Sequence, residues 1–327
     1  MNPMKLTEIP RIIKEPVDIF ICSASFEKRC LQIPMTLKGR TKDTIILFFE
    51  EPVAPSITEE HKNTLLNLFR GKNKKIALHR NNPIKTADNI IALMNNKYDL
   101  EKTSRKKILL DFSTISRETL LIFLKWLFEK ELAKRHQIQL IYNSAGKYST
   151  EEDQDEKKWL TEGIGDLRSV LGYSGLISPS KKLHLVIQVG FEIERALKHI
   201  EAYEPSITSL GRGGEDCSIC PEHFITNKIK HQKLKDGSVD EFQFSCVDPI
   251  QTKNDLAKQI DKYKDANYNV VIAPLNTKIS TIGAALLAYE RQEIQICYAT
   301  ANIYNVDNYA MPSDEFYLFN LEDLIRG

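Results

Sequence analysis

Two short segments of this chain pair hydroxyls with a cation. Asp111-Phe112-Ser113-Thr114-Ile115-Ser116-Arg117 and Asn276-Thr277-Lys278-Ile279-Ser280-Thr281 each follow an apolar run and lead into helical sequence. A helix N-terminus offers free backbone N–H groups and the positive end of a dipole, and a guanidinium can grip a phosphate in bidentate fashion. The chemistry implied is anion binding. Capping alone, by Ser113 or Ser116 and by Ser280 or Thr281, accounts for one hydroxyl per loop. It does not account for three hydroxyls with a cation in both segments, so a phosphate or nucleotide ligand is the expectation. Ser23, Ser25, Glu27 and Arg29 form a further polar group after an earlier apolar run. Asp111 and Glu27 are the carboxylates placed where a general base could act. Tyr148 and Tyr304 lie in polar stretches (SAGKYS, TANIYN), where a ring can stack on a base or pack against another tyrosine.

The elements that must position these residues alternate. Apolar runs at 17–25, 44–51, 74–80, 106–113 and 138–143 read as strands, and the segments between them read as helices. A second series of strands follows at 181–190, 207–213, 241–248, 268–276 and 294–299. Strands that are continuously apolar and separated by helices predict mainly parallel sheets covered on both faces, the α/β class. In open sheets of that kind ligands bind beyond the carboxyl ends of the strands, where every segment named above falls.

The two series repeat. IQLIYNSAGKYS (138–149) and IQICYATANIYN (294–305) agree at Ile138/Ile294, Gln139/Gln295, Tyr142/Tyr298, Ala145/Ala301 and Tyr148/Tyr304. Phe26-Glu27 after the first strand is matched by Phe191-Glu192, and Ser113-Thr114 by Asn276-Thr277. Phe26 to Ser113 is 113 − 26 = 87 residues, and Phe191 to Asn276 is 276 − 191 = 85. Two tandem Rossmann-like domains with internal duplication are expected: 1–149, a charged linker at 150–182, and 183–327. Their loops are expected to share one phosphate-friendly cleft. Tyr142 and Tyr298 alternate into the sheet and are expected in the core.

A strand followed by Asp-x-Ser/Thr and a basic residue at a helix start resembles the motif of CRISPR-associated Rossmann-fold (CARF) sensor domains. Asp111, Ser113, Thr114 and Arg117 carry the resemblance in the first half, and Thr277 and Lys278 in the second. It covers about a dozen residues per half. The chain lacks the family's glycine before the basic residue and has Pro274-Leu275 where the Asp would fall. No HEPN-type nuclease motif accompanies it. The resemblance implies a sensor of a cyclic or signalling nucleotide that acts on an effector protein, in bacterial defence. The alternatives are a nucleotide-processing hydrolase using the same cleft, or a nucleic-acid-binding subunit.

That last alternative rests on charge. Residues 1–150 hold 26 Lys+Arg against 16 Asp+Glu, and residues 151–327 hold 19 against 28, so a net charge of +1 conceals +10 and −9. A split of this kind can steer a polyanion or help the halves associate. Cys217-Ser-Ile-Cys220 with His223 has the start of a zinc spacing but no second pair, so no metal is assigned. Gly211-Arg-Gly-Gly214 matches neither the Walker A nor the dinucleotide fingerprint. No motif names a cofactor. The opening MNPMKLTEIPRIIKEP has no apolar core of a secretory signal, and no run reaches the ~20 residues of a membrane span, so a cytoplasmic protein without membrane association is expected.

Overall fold

The computed structural model describes residues 2–148, 159–219, 221–234, 239–264, 267–307 and 309–327. It divides into two compact units, Asn2–Lys158 with Tyr304–Gly327, and Trp159–Ile303. Both are α/β.

The N-terminal unit begins with a short strand β1 (Met4–Lys5) and helix α1 (Ile9–Ile12). Five parallel strands then alternate with helices: β2 (Val17–Ser23), α2 (Arg29–Thr36), β3 (Thr41–Phe49), α3 (Pro55–Leu68), β4 (Asn73–Leu78), α4 (Pro83–Leu93), β5 (Lys107–Asp111), α5 (Arg117–Glu129), α6 (Leu132–Arg135) and β6 (Gln137–Tyr148). They lie in the order β6-β5-β2-β3-β4. Val17 pairs with Thr41 and Ile19 with Ile108, so β2 is central and carries apolar side chains on both faces. Phe20, Cys22, Ile33, Ile46, Leu65 and Leu109 share one core cluster. Helix α5 is buried along 118–128, as an all-round apolar helix must be.

The second unit repeats the plan. It contains β7 (Thr161–Ser169), β8 (Leu183–Gln188), α7 (Ile193–Tyr203), β9 (Ile207–Gly213), α8 (Pro221–His231), β10 (Val239–Phe244), α9 (Pro249–Asp261), β11 (Asn269–Pro274), α10 (Lys278–Glu290) and β12 (Gln295–Tyr304). Its parallel strands lie in the order β12-β11-β8-β9-β10, the order of the first sheet position by position. The segments 138–143 and 294–299 therefore occupy equivalent strands. Backbone bonds agree too: Ala24 donates to the Leu47 carbonyl as Val189 does to Gly211, both at 2.8 Å.

Two elements depart from the expected boundaries. The segment 161–169, expected within a linker, forms edge strand β7 beside β12. It runs antiparallel, since Val170 donates to the Ile296 carbonyl while Gly165 lies against Thr300 and Gly163 against Asn302. Residues 149–158, the rest of the charged stretch through Lys158, lie outside the described residues. The C-terminal segment does not stay with the second sheet. Strand β13 (Ala310–Asn320) pairs antiparallel with β6, Tyr317 opposite Tyr142 and Phe319 opposite Leu140, and α11 (Leu321–Arg326) follows it. A domain of 183–327 is thus corrected to one that ends near residue 303. The strand after β6 serves the second sheet, and the strand after β12 serves the first. The gain is the same in both: an otherwise open edge of β6 or β12 is paired, and an unpaired edge is a template for aggregation. Tyr142 and Tyr298 are buried, as expected, and Phe112 stacks on Tyr142 with centroids 5.1 Å apart.

Candidate functional site

In the N-terminal unit the chain leaves β2 toward β3 on one side and later returns to β5 on the other. Ligand crevices of open α/β sheets form at such a switch point. Here Ser23 and Thr114 meet across it, Oγ to Oγ1 at 2.8 Å. Asp111 Oδ1 accepts from the Ser113 backbone N–H at 2.9 Å and from Ser113 Oγ at 2.5 Å, and Ser113 Oγ in turn accepts from Asn143 N at 2.8 Å. Asp111 is 3% exposed and Ser113 not at all. These two side chains tie the β5–α5 loop to β6. Asp111, expected as a candidate general base, is buried and serves to fix the loop. Ser116 caps α5, accepting from Thr119 N at 3.1 Å, and Arg117 is half-buried at the first helical position.

Glu27 and Arg29 are also interior. Arg29 Nη2 meets Glu27 Oε2 at 2.5 Å, Nε adds 3.0 Å to the same oxygen, and Nη1 donates to the Asn143 carbonyl at 3.1 Å. The guanidinium sits 5.9 Å from the Tyr142 ring centroid. Burial opposes the Arg29 charge, but Glu27, Tyr142 and Tyr148 outweigh it and hold the group above its usual range. Burial first, and its neighbour Tyr142 next, push the Tyr148 phenol up. Tyr148, half-buried, joins this network through Tyr142 and Arg29. Ser25 accepts from Glu27 N at 3.3 Å, and its carbonyl lies 2.7 Å from His61 Nδ1. The second general-base candidate, Glu27, is buried and paired with Arg29.

Tyr304 is placed differently. Its ring lies 5.9 Å from Phe26 and 5.9 Å from Tyr309, with Phe26 and Tyr309 5.4 Å apart. The Arg80 guanidinium sits 5.3 Å from the Tyr304 ring and 5.7 Å from Phe49. All five residues are half-buried. Phe26 follows β2, Phe49 ends β3 and Arg80 follows β4, so three adjacent strands feed one cluster at their carboxyl ends. The sequence reading missed Phe49, Arg80 and Tyr309. For the first two the signal was their position just at a strand end; Tyr309 becomes a neighbour only because β13 returns to this unit.

The equivalent switch point of the second unit is closed. A Cβ on Gly190 would lie 2.4 Å from the Leu275 carbonyl oxygen, so the two loops touch backbone to backbone. Asn276 spans the same gap, Nδ2 donating to the Val189 carbonyl at 2.6 Å, while its Oδ1 accepts from Thr277 N at 2.8 Å and from Cys246 Sγ at 3.1 Å. Thr277 caps α10 by accepting from Ser280 N at 3.0 Å and also donates to the Cys246 carbonyl at 2.9 Å. Ser280 and Thr281, both fully buried, donate back to the Thr277 carbonyl at 2.9 and 3.0 Å. The hydroxyls expected to bind phosphate in this loop are consumed within it. Lys278, half-buried, holds the place of Arg117.

The weaker signals have packing explanations. A Cβ on Gly211 would lie 2.5 Å from Phe242, and one on Gly213 2.5 Å from Cys246 Sγ, so these glycines let β9 pass beneath side chains of its neighbours. Cys217 lies in a single helical turn and its carbonyl accepts from Cys246 N at 2.8 Å. His223 packs edge-on to Phe191 at 5.0 Å. Burial, with Cys217 adding to it, pushes the Cys246 thiol up to about 12. Cys220 lies outside the described residues. Among the described residues no group of three or more His, Cys, Asp or Glu could hold a metal ion.

No protein-family model matches the chain, and no curated protein matches it. A solved structure, the cytoplasmic domain of a prokaryotic cation chloride cotransporter, aligns over 90% of this chain and 98% of its own at 10% identity with a TM-score of 0.21. Among the described residues no helix is long and apolar enough to cross a membrane.

Proposed function

We infer that the protein is a nucleotide-binding sensor and that the ligand sits at the carboxyl edge of the N-terminal sheet. The observation that carries this reading is the half-exposed cluster of Phe26, Tyr304 and Tyr309 under the Arg80 guanidinium. Aromatic faces of this kind accept a base by stacking, and a guanidinium beside them accepts a phosphate. Arg117, which starts the helix after β5, supplies a second cation on the same edge. Strands β5 and β4 are separated by β2 and β3, which makes three steps of ~4.8 Å, about 14 Å in all. A ligand reaching from Arg117 to Arg80 is longer than a mononucleotide and carries two or more phosphates. A linear or cyclic oligonucleotide fits that span and is the ligand class of the sensors that the Asp-x-Ser/Thr motif resembles; an effector protein as downstream partner and bacterial defence as the setting rest on that resemblance alone.

Sensing is favoured over turnover because Asp111 and Glu27, the carboxylates that the sequence singles out as candidate bases, are enclosed and bonded. The test is a thermal-shift screen of mono-, di- and cyclic oligonucleotides, since a ligand that binds only the folded state raises its stability. A cyclic oligoadenylate is expected to raise Tm and to be recovered intact. Hydrolysis that survives in Asp111→Asn and Glu27→Gln would still contradict the sensor reading, since it would place a base elsewhere.

A further inference from the structure

The opposite edge of the first sheet has a separate character. Six exposed cations stand at the amino ends of four adjacent strands: Lys14 before β2, Lys38 before β3, Lys72, Lys74 and Lys75 at β4, and Arg105 before β5. The acids of this edge are already engaged by other cations. Glu15 pairs with Lys107, Asp18 with Lys42 at 2.7 Å, Asp43 with Lys97 at 3.4 Å and Asp99 with Lys102 at 3.7 Å. Burial works against the Asp18 charge, and hydrogen bonds from Lys107 N–H and Lys42 outweigh it and hold the carboxylate below its usual range. A pocket of about 360 Å³ opens among Asp18, Lys42, Arg105 and Lys107. These six cations form part of the excess of +10 carried by residues 1–150.

We propose that this edge docks the phosphate backbone of a nucleic-acid duplex without reading its sequence. The strand spacing of ~4.8 Å sets cations across about 14 Å, a row that can follow a phosphate ladder. Backbone contact is favoured over base stacking because the aromatic ring at this edge, Tyr98, is tied to Asp43 at 3.3 Å. A lipid surface is disfavoured because membrane-surface binding combines cations with apolar anchors. The exposed large apolar side chains of the described residues, such as Ile57, Ile84, Leu176 and Met311, are not among those that start these strands. The second sheet does not repeat the pattern: Lys181 and Lys182 precede β8, but Glu204 precedes β9 and Glu293 precedes β12. This surface is independent of the nucleotide site at the other edge.

The test is binding of a short fluorescent duplex DNA, followed by anisotropy over a range of salt concentrations. The logarithm of the association constant should fall with log salt at a slope of about −0.9 per phosphate engaged, about −5 for six contacts. The triple variant Lys74→Glu, Lys75→Glu, Arg105→Glu should bind at least about tenfold more weakly with a flatter slope, because each lost contact removes about 0.9 from it. Lys85→Glu, an exposed charge reversal at the start of α4, should match the parent. Absence of duplex binding at low salt would overturn the proposal. So would a triple variant with unchanged affinity and slope, or binding to anionic vesicles without binding to the duplex.

Discussion

The two sheets share a strand order, a cap at the helix after the fourth parallel strand, and a basic residue beside it, yet their carboxyl edges differ. At the first, Ser25 is half-buried and an aromatic cluster with Arg80 lines the strand ends. At the second, Gly190 brings the backbone against Leu275 and Asn276 fastens the seam. Duplication preserved what the fold needs, which is alternation, caps and a closed core. It did not preserve the crevice. A repeat in sequence therefore argues for a repeated scaffold and not for a repeated site.

The comparison can be broken most severely at Gly190. Gly190→Ala places a methyl 2.4 Å from a backbone oxygen that cannot move without shifting both loops, so we expect a loss of about 3 kcal/mol or more in urea unfolding. Ser25→Ala, the matching change in the first unit, should cost under about 1 kcal/mol, since it removes one long hydrogen bond to Glu27 N. Similar costs at both positions would erase the asymmetry.

Acid should separate the units next. His184 is buried against Tyr263 and Ser209, and burial lowers its pKa to about 4 against the pull of Asp240. Its folded value lies below the unfolded one, so the unfolded chain binds the extra proton as pH falls from about 6.5 toward 4. Stability is then lost at up to about 1.4 kcal/mol per pH unit and is fully retained above pH 7. His184→Gln should flatten that limb of the stability curve. An unchanged slope would show that the imidazole is not held neutral.

The smallest effect compares the caps. Ser116→Ala and Thr277→Ala each remove one acceptor from a helix of 13 residues, and each should cost about 1 kcal/mol by denaturant titration. A much larger cost at Thr277 would trace to its second bond, to the Cys246 carbonyl.

Much of the scaffold was legible because the signal is local. Continuous apolar runs such as Val17–Ser23 and Asn269–Pro274 mark buried parallel strands, and Ser116 announces a helix start; in the second unit the cap is Thr277 rather than Ser280 or Thr281, whose hydroxyls bond back to the Thr277 carbonyl. The two edge strands were not legible. Strand β7 carries Gly163 and Gly165 and buries no residue fully, so it reads as loop. Strand β13 contains Pro312, breaks register around it, and finds its partner more than 160 residues away. Its return is also what brings Tyr309 beside Tyr304, so a cluster built by long-range pairing stayed hidden. Asp111, Ser113 and Asn276 have the residue types of a ligand site, and the structure spends them on fastening strands together.

The central claim, that the ligand is held at the carboxyl edge of the first sheet and not by the cap loop of the second unit, is tested most directly by calorimetric titration of a cyclic oligoadenylate into parent and variant proteins. Arg80→Ala and Tyr304→Ala should each weaken binding by about 1–3 kcal/mol, roughly five- to 150-fold, while Lys278→Ala leaves it within twofold of the parent. Affinity lost in Lys278→Ala and retained in Arg80→Ala and Tyr304→Ala would contradict the account.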